Sequence, residues 1–160
     1  MRVYLLRHGE SIHNAKGYSG KDCPLTDRGK MQASSISGSF DIVICSSLKR
    51  ARQTLENTKI KYTCLYISEL CRELKTDIAD VKEDEPDEFK RETQSELSKR
   101  ARVFKNILKT FPKDKKILVV SHGIFLAELI GFQLKNCEMA TFDPHEEICF
   151  HNKVRTEPNK

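Results

Sequence analysis

Apolar and polar positions alternate along the chain in blocks that predict strands and helices by turns. Val3 to Leu6 is a short apolar run and predicts a strand, as do Asp41 to Cys45 and Thr63 to Ile67. Thr26 is a suitable N-cap for a helix running towards Gly38, and Ser46 or Ser47 for one from Leu48 to about Asn57. A polar, acidic stretch with no periodicity follows. Leu97, Ala101, Phe104, Leu108 and Phe111 then recur at spacings of four, three, four and three, which is one helical face, with Pro112 just past its end. Ile117 to Val120 is apolar at every position and predicts a central strand buried on both faces. Ile124 to Leu134 is apolar almost all round, as a buried helix would be. Glu138 to Phe142 and Glu147 to Phe150 predict two last strands, with an Asp143-Pro144 turn between them. Such alternation implies an α/β sheet covered by helices on both faces. Nothing repeats and no linker divides the chain, so residues 1–160 are expected to form a single domain.

Two of these strands end alike. The first runs into Arg7-His8-Gly9 and the fourth into Ser121-His122-Gly123. Ligands of open α/β sheets bind beyond the carboxyl ends of the strands. If the two strands are neighbours, both histidines point into one crevice. The second strand leads into Ser46-Ser47-Leu48-Lys49-Arg50, which puts Arg50 in the first turn of a helix. The helix dipole opposes a cation there, unless the cation faces a bound anion. Two arginines, two histidines and free backbone N–H groups would suit a phosphoryl group.

Composition narrows the classes. The 160 residues are 32% charged and 38% hydrophobic, as in a globular protein. No apolar run approaches a membrane span, and the N-terminus does not read as a signal peptide, so a cytoplasmic protein is expected. The six cysteines are scattered without close pairs, which argues against disulfide staples and zinc. Cys45 reads as a core residue. The net charge of +5 coexists with five acids between Glu83 and Glu88, so the rest is more basic than the total suggests. That balance fits phosphorylated small molecules. No zinc finger or aromatic RNA-binding signature supports a nucleic-acid partner. Gly17 to Asp22 looks like part of a phosphate-binding P-loop, but it is too short and has Asp22 where Ser or Thr is required. His13, His145 and His151 show no ligand spacing.

Five stretches occur in a telling order: "RHGESxxN" (Arg7 to Asn14), "SGKDCPLT" followed by "DRG", "SSLKRARQT" (Ser46 to Thr54), "ELCREL" (Glu69 to Leu74) and "VVSHG" (Val119 to Gly123). Together they resemble the histidine phosphatase superfamily, the phosphoglycerate-mutase-like family. The likeness spans nearly the whole chain except about residues 75–91. It implies a three-layer α/β/α sandwich around a six-stranded, mostly parallel mixed sheet. It implies His8 as the nucleophile, and Arg7, Arg50 and His122 as a charged clamp on the phosphoryl group. Asn14, Ser19, Gly20 and Gly123 would help to bind the substrate. Glu73 would be the proton donor, with Glu69 and Asp77 as nearby candidates, because "LKTDIADV" replaces the family's usual glycine-rich stretch after the acid.

These residue types suit the reaction. Two-step hydrolysis needs a nucleophile that can leave again, and neutral imidazole can. Phosphoryl transfer is catalysed mainly by positioning and by positive charge around the equatorial oxygens. Here arginines would supply that charge, so neither metal nor other cofactor is expected. The expected activity is metal-independent hydrolysis of a phosphomonoester, with a phosphorylated small molecule or a phosphoprotein as substrate and no membrane partner. Phosphoglycerate mutase, protein phosphohistidine phosphatase and a non-catalytic phosphate-binding module stay open as alternatives.

Overall fold

A computed structural model of the chain describes residues 1–147. Five strands make one sheet in the order β3-β2-β4-β1-β5. They are β1 (Val3–Arg7), β2 (Ser37–Ser46), β3 (Lys59–Ser68), β4 (Ile117–Ser121) and β5 (Met139–Phe142). β1 to β4 pair in parallel, and β5 closes the sheet antiparallel to β1. The mixed, mostly parallel α/β architecture is the expected one. Of the six expected strands, the last falls almost wholly outside the described residues, as do Cys149 and His151.

The central strand explains the layering. All five residues of β4 are buried. Ile117 and Val119 join Val3, Leu5, Leu97, Phe104 and Phe125 in one apolar cluster. Leu118 and Val120 join Leu6, Val43, Cys45, Ala51 and Leu55 in another. The period-two alternation of a strand thus splits one apolar run between two cores. The first core lies under α4 (Gln94–Leu108) and α5 (Gly123–Ile130), where Phe104 meets Phe125 edge to face at 5.5 Å. The second lies under α3 (Lys49–Asn57).

The helix ends show where local signals acted. Thr93 opens α4 with a reciprocal capping box to Glu96, and Thr26 caps α2 (Asp27–Ser34) through the N–H of Gly29. α5 stops at Gly131, whose φ of 85° suits glycine. A short helix, α1 (Ile12–Lys16), was not expected; Ser11 and Asn14 build its capping box. The expected serine cap of α3 is corrected. Leu48 is its N-cap without a side-chain bond, while Oδ1 of buried Asp22, distant in sequence, accepts the Lys49 N–H at 2.6 Å. Ser46 instead completes β2. No helix among the described residues is long and apolar enough to cross a membrane.

Candidate active site

β1 and β4 are neighbours, with Arg7 in register with Ser121. The pair therefore delivers His8 and His122 side by side, their ring centroids 5.1 Å apart. Both rings are buried. Nδ1 of His8 lies 2.6 Å from the carbonyl oxygen of Gly9. A carbonyl only accepts, so Nδ1 carries the proton and Nε2 keeps a lone pair. Burial, then the positive charge of Arg50, hold the pKa of His8 well below its usual range, so the ring is neutral.

The loop carrying His8 is fixed from several sides. The Gly9 N–H donates to Thr54 Oγ1, which donates onward to the Arg50 carbonyl. Thr54 is fully buried and links the β1 tip to the helix that presents Arg50. The Cys137 N–H is shared between the carbonyls of Arg7 and His8, and Asn136 Nδ2 donates to the His8 carbonyl. Gly9 packs directly against Gly29 of α2: a Cβ on Gly9 would lie 2.5 Å from the Gly29 carbonyl oxygen. Thr54 is the last residue of "SSLKRARQT", and its role was legible only as part of that motif. Asn136 carried no sequence signal.

The two arginines are held differently. Arg7 donates from Nη1 to the Leu134 carbonyl, and its buried Nε has no protein partner among the described residues. Its guanidinium packs on Gly123, where an added Cβ would meet Arg7 Cζ at 3.0 Å. Gly123 therefore makes room for the cation. Arg50 is buried and engaged by the stretch Ile78–Asp80, a single 3₁₀ turn: Nη1 donates to the Ala79 carbonyl and Nη2 to Asp80 Oδ1 at 2.8 Å. The anion that Arg50 faces in the structure is thus a carboxylate of its own chain. Asp80 is fastened in turn by the N–H groups of Thr76 and Asp77.

Glu73 sits at the start of α5. Its carboxylate accepts the N–H groups of Ile124, Phe125 and Leu74. Burial pushes its pKa up despite these three donors and nearby Arg50. The charge of Glu73 partly offsets the lowering of the Arg7 pKa that burial causes. Glu69 is instead ion-paired with Arg72 and Lys82 and has a lowered pKa, while Asp77 caps the 3₁₀ turn. Arg100, absent from the sequence reading, holds the turn that carries Glu73: it donates to the carbonyls of Leu70, Arg72 and Glu73 and pairs with Glu92.

The other expected residues lie further out. Asn14 is exposed; its Oδ1 accepts from Ser11 and from Asn136 Nδ2 at 3.3 Å. That bond ties it indirectly to the His8 loop. The Ser19 hydroxyl donates to the Gly20 carbonyl on an outer loop, and no hydrogen bond joins either residue to His8, Arg7 or Arg50. The thiols of Cys71 and Cys137 are pushed up by burial to about 12 and about 11, which leaves them poor nucleophiles. No group of three or more metal-ligating side chains stands together among the described residues.

Taken chemically, the cluster offers one imidazole lone pair, the Arg7 guanidinium with its unpartnered Nε, the Arg50 guanidinium held by Asp80, a second imidazole and a carboxyl group with a raised pKa. That set suits transfer of a phosphoryl group through a nitrogen nucleophile.

Residues 3–75 match the family model of the histidine phosphatase superfamily (branch 1). The chain is 26% identical to the probable phosphoglycerate mutase GpmB of Escherichia coli, over 92% of this chain and 87% of that one. The fold is similar to that of the alpha-ribazole phosphatase from Shigella flexneri, with a TM-score of 0.69 and 24% identity over 89% of this chain and 90% of that one. It is also similar to phosphoserine phosphatase from Entamoeba histolytica, solved in complex with 3-phosphoglyceric acid. That TM-score is 0.64, at 23% identity over 88% of this chain and 89% of that one.

Proposed function

We propose that this chain is a histidine phosphatase, the superfamily whose model matches residues 3–75, and that it hydrolyses a phosphomonoester by passing the phosphoryl group through Nε2 of His8. The observation that carries the reading is the bond from His8 Nδ1 to the Gly9 carbonyl. It fixes the tautomer that exposes a nucleophilic lone pair, next to two arginines and a second histidine.

The first step forms the Nε2–P bond and breaks the P–O ester bond. The leaving oxygen takes a proton from Glu73, whose raised pKa favours the acid form. His8 keeps its Nδ1 proton throughout, so the phosphorylated ring is an imidazolium, a good leaving group for the second step. Water then attacks phosphorus, the Glu73 carboxylate takes its proton, and the P–N bond electrons return to Nε2. Arg7 and Arg50 stabilise the charge on the equatorial oxygens. In this scheme Gly123 seats Arg7, and Asn14, Ser19 and Gly20 help to bind the substrate.

A second reading, transfer between two hydroxyls of one substrate, is favoured by the match to a probable phosphoglycerate mutase. A mutase must keep water from its phosphoenzyme while the substrate turns round. Between Glu73 and α4 the chain forms only the turn Ile78–Asp80, which supports hydrolysis. The test incubates the protein with p-nitrophenyl phosphate, phosphoserine and 3-phosphoglycerate, with and without chelator. Inorganic phosphate release that survives chelation, with an acid-labile phosphoenzyme, is expected. Interconversion of phosphoglycerates without phosphate release would establish the mutase instead. Absence of both products and of the phosphoenzyme would overturn the enzymatic reading.

A further inference from the structure

His122 poses a problem that His8 does not. Its ring is fully buried, and its two nitrogens differ. Nε2 lies 2.8 Å from Ser46 Oγ, while Nδ1 has no partner among the described residues. A neutral imidazole donates from one nitrogen and accepts at the other, so Ser46 decides which.

Ser46 is itself fully buried at the end of β2. Its oxygen accepts the Leu48 N–H at 3.3 Å. The hydroxyl has one hydrogen, and His122 Nε2 is the acceptor the structure gives it. Were Nε2 protonated, two donors would converge on Ser46 Oγ and its own hydrogen would have no acceptor. A buried hydroxyl without an acceptor is disfavoured. The arrangement that leaves fewest groups unpaired has Ser46 donating to Nε2 and the proton of His122 on Nδ1, where that N–H alone lacks a protein partner among the described residues.

Topology then gives that proton a use. The strand order places β4 between β2 and β1. His122, which follows β4, therefore stands between Ser46 on the β2 side and His8 on the β1 side. We infer that Ser46 is a positioning residue that locks His122 as the Nδ1–H tautomer, so that the pocket meets an N–H donor from His122 and a lone pair from His8. Burial and then Arg50 hold the pKa of His122 well below its usual range, consistent with a neutral donor. A neutral donor can bond a phosphoryl oxygen without competing with His8 for a proton. The inference rests on the proposed reading of His8 but is tested separately from it.

The test begins with the ring nitrogens of His122, assigned by long-range ¹⁵N–¹H correlation in the free wild-type protein. A pyrrole-type Nδ1 and a pyridine-type Nε2 are expected. A pyrrole-type Nε2 would overturn the inference whatever the protein's activity. Ser46→Ala should yield a mixture of tautomers and weaken binding of inorganic phosphate by roughly three- to tenfold, the worth of one ordinary hydrogen bond. Ser46→Thr keeps the hydroxyl and should restore both. An alanine variant with His122 still wholly Nδ1–H and unchanged phosphate affinity would also overturn it. If the alanine variant does not fold, the wild-type and threonine spectra decide. A wild-type protein with the expected tautomers but no phosphoenzyme would sink the His8 reading and leave this one standing.

Discussion

Two regions meet at Arg50 and are built from different interactions. The tips of β1, β2 and β4 are buried and held by neutral hydrogen bonds: Gly9 to Thr54, Ser46 to His122, Cys137 to the carbonyls of Arg7 and His8. The stretch from Glu69 to Glu92 is held mainly by ion pairs. Arg72 joins Glu69 and Glu85, Lys75 joins Glu85, and Lys82 joins Glu69. Buried neutral bonds are insensitive to salt and pH and tolerate little displacement. Half-exposed ion pairs are weak, screened and easily exchanged. The first region holds His8 and His122 in place, while in the second only Glu73 is fastened comparably, by the N–H groups of α5 and by Arg100, and the exposed pairs around it can vary. Arg50–Asp80 is the exception, a buried pair that couples the two. Removing one partner of such a pair costs far more than the pair itself contributes.

This contrast can be broken most sharply at the nucleophile. His8→Ala should lower turnover by roughly 10⁴-fold or more, with an unchanged fold by circular dichroism, since loss of a nucleophile removes the whole covalent route. A variant that still accumulates an acid-labile phosphoenzyme would move the nucleophile elsewhere.

Glu73→Gln comes next and tests whether the ion-paired region contributes chemistry. Gln keeps the shape but its amide nitrogen cannot accept a backbone N–H as both Glu73 oxygens do, so the difference between leaving groups, rather than the total loss, reports proton transfer. We expect phosphorylation of His8 by an alkyl phosphate to slow by roughly 10²–10⁴-fold, but much less by p-nitrophenyl phosphate, whose leaving group needs no proton. The raised pKa keeps Glu73 protonated to higher pH than an ordinary glutamate. The alkyl-phosphate rate should therefore fall as pH rises through that raised value, and the glutamine variant should lose this limb. Equal slowing for both leaving groups in pre-steady-state kinetics would reject Glu73 as the acid.

Thr54→Val probes the neutral region for stability. It strands the buried Gly9 N–H, which should cost about 1–3 kcal/mol in urea unfolding. A cost near zero would mean that the β1 tip is not held through α3.

Glu85→Gln sharpens the other side and should have the smallest effect, under about 1 kcal/mol, because the pairs are partly exposed. Arg72, then Lys75, lower the pKa of Glu85 to about 2 from an ordinary 4.5. Its contribution is complete above pH 4.5 and is lost as pH falls towards 2. The difference in thermal midpoint between the two proteins should therefore shrink over that window. A difference that grows on acidification would contradict the ion-pair account.

How far the chain itself reveals these regions depends on the range of the forces involved. Periodicity and capping are local, so the apolar runs announced β1 and β4, the i, i+3, i+4 spacing announced α4, and Thr26 announced α2. Two strands ending in His-Gly sufficed to place both histidines side by side once the strands were adjacent. Element ends were less legible: β2 and β3 run ten residues each rather than the five expected, because their outer residues pair with each other without a continuous apolar signal. Short α1 had too few apolar positions to show a period.

Contacts between distant residues belonged to the tertiary structure alone. No local rule pairs Asp80 with Arg50, places Asp22 at the start of α3, or stretches Arg100 across the turn that carries Glu73. Each joins groups 27 to 30 positions apart in the chain, and each becomes possible only after the sheet has set the elements side by side. The tautomers of the two histidines are the clearest case. The sequence determines that both are present at strand ends. Which nitrogen of each keeps its proton depends on one neighbouring acceptor, Gly9 O, and one donor, Ser46 Oγ, and the second reaches His122 only because β2 and β4 lie next to each other in the folded sheet.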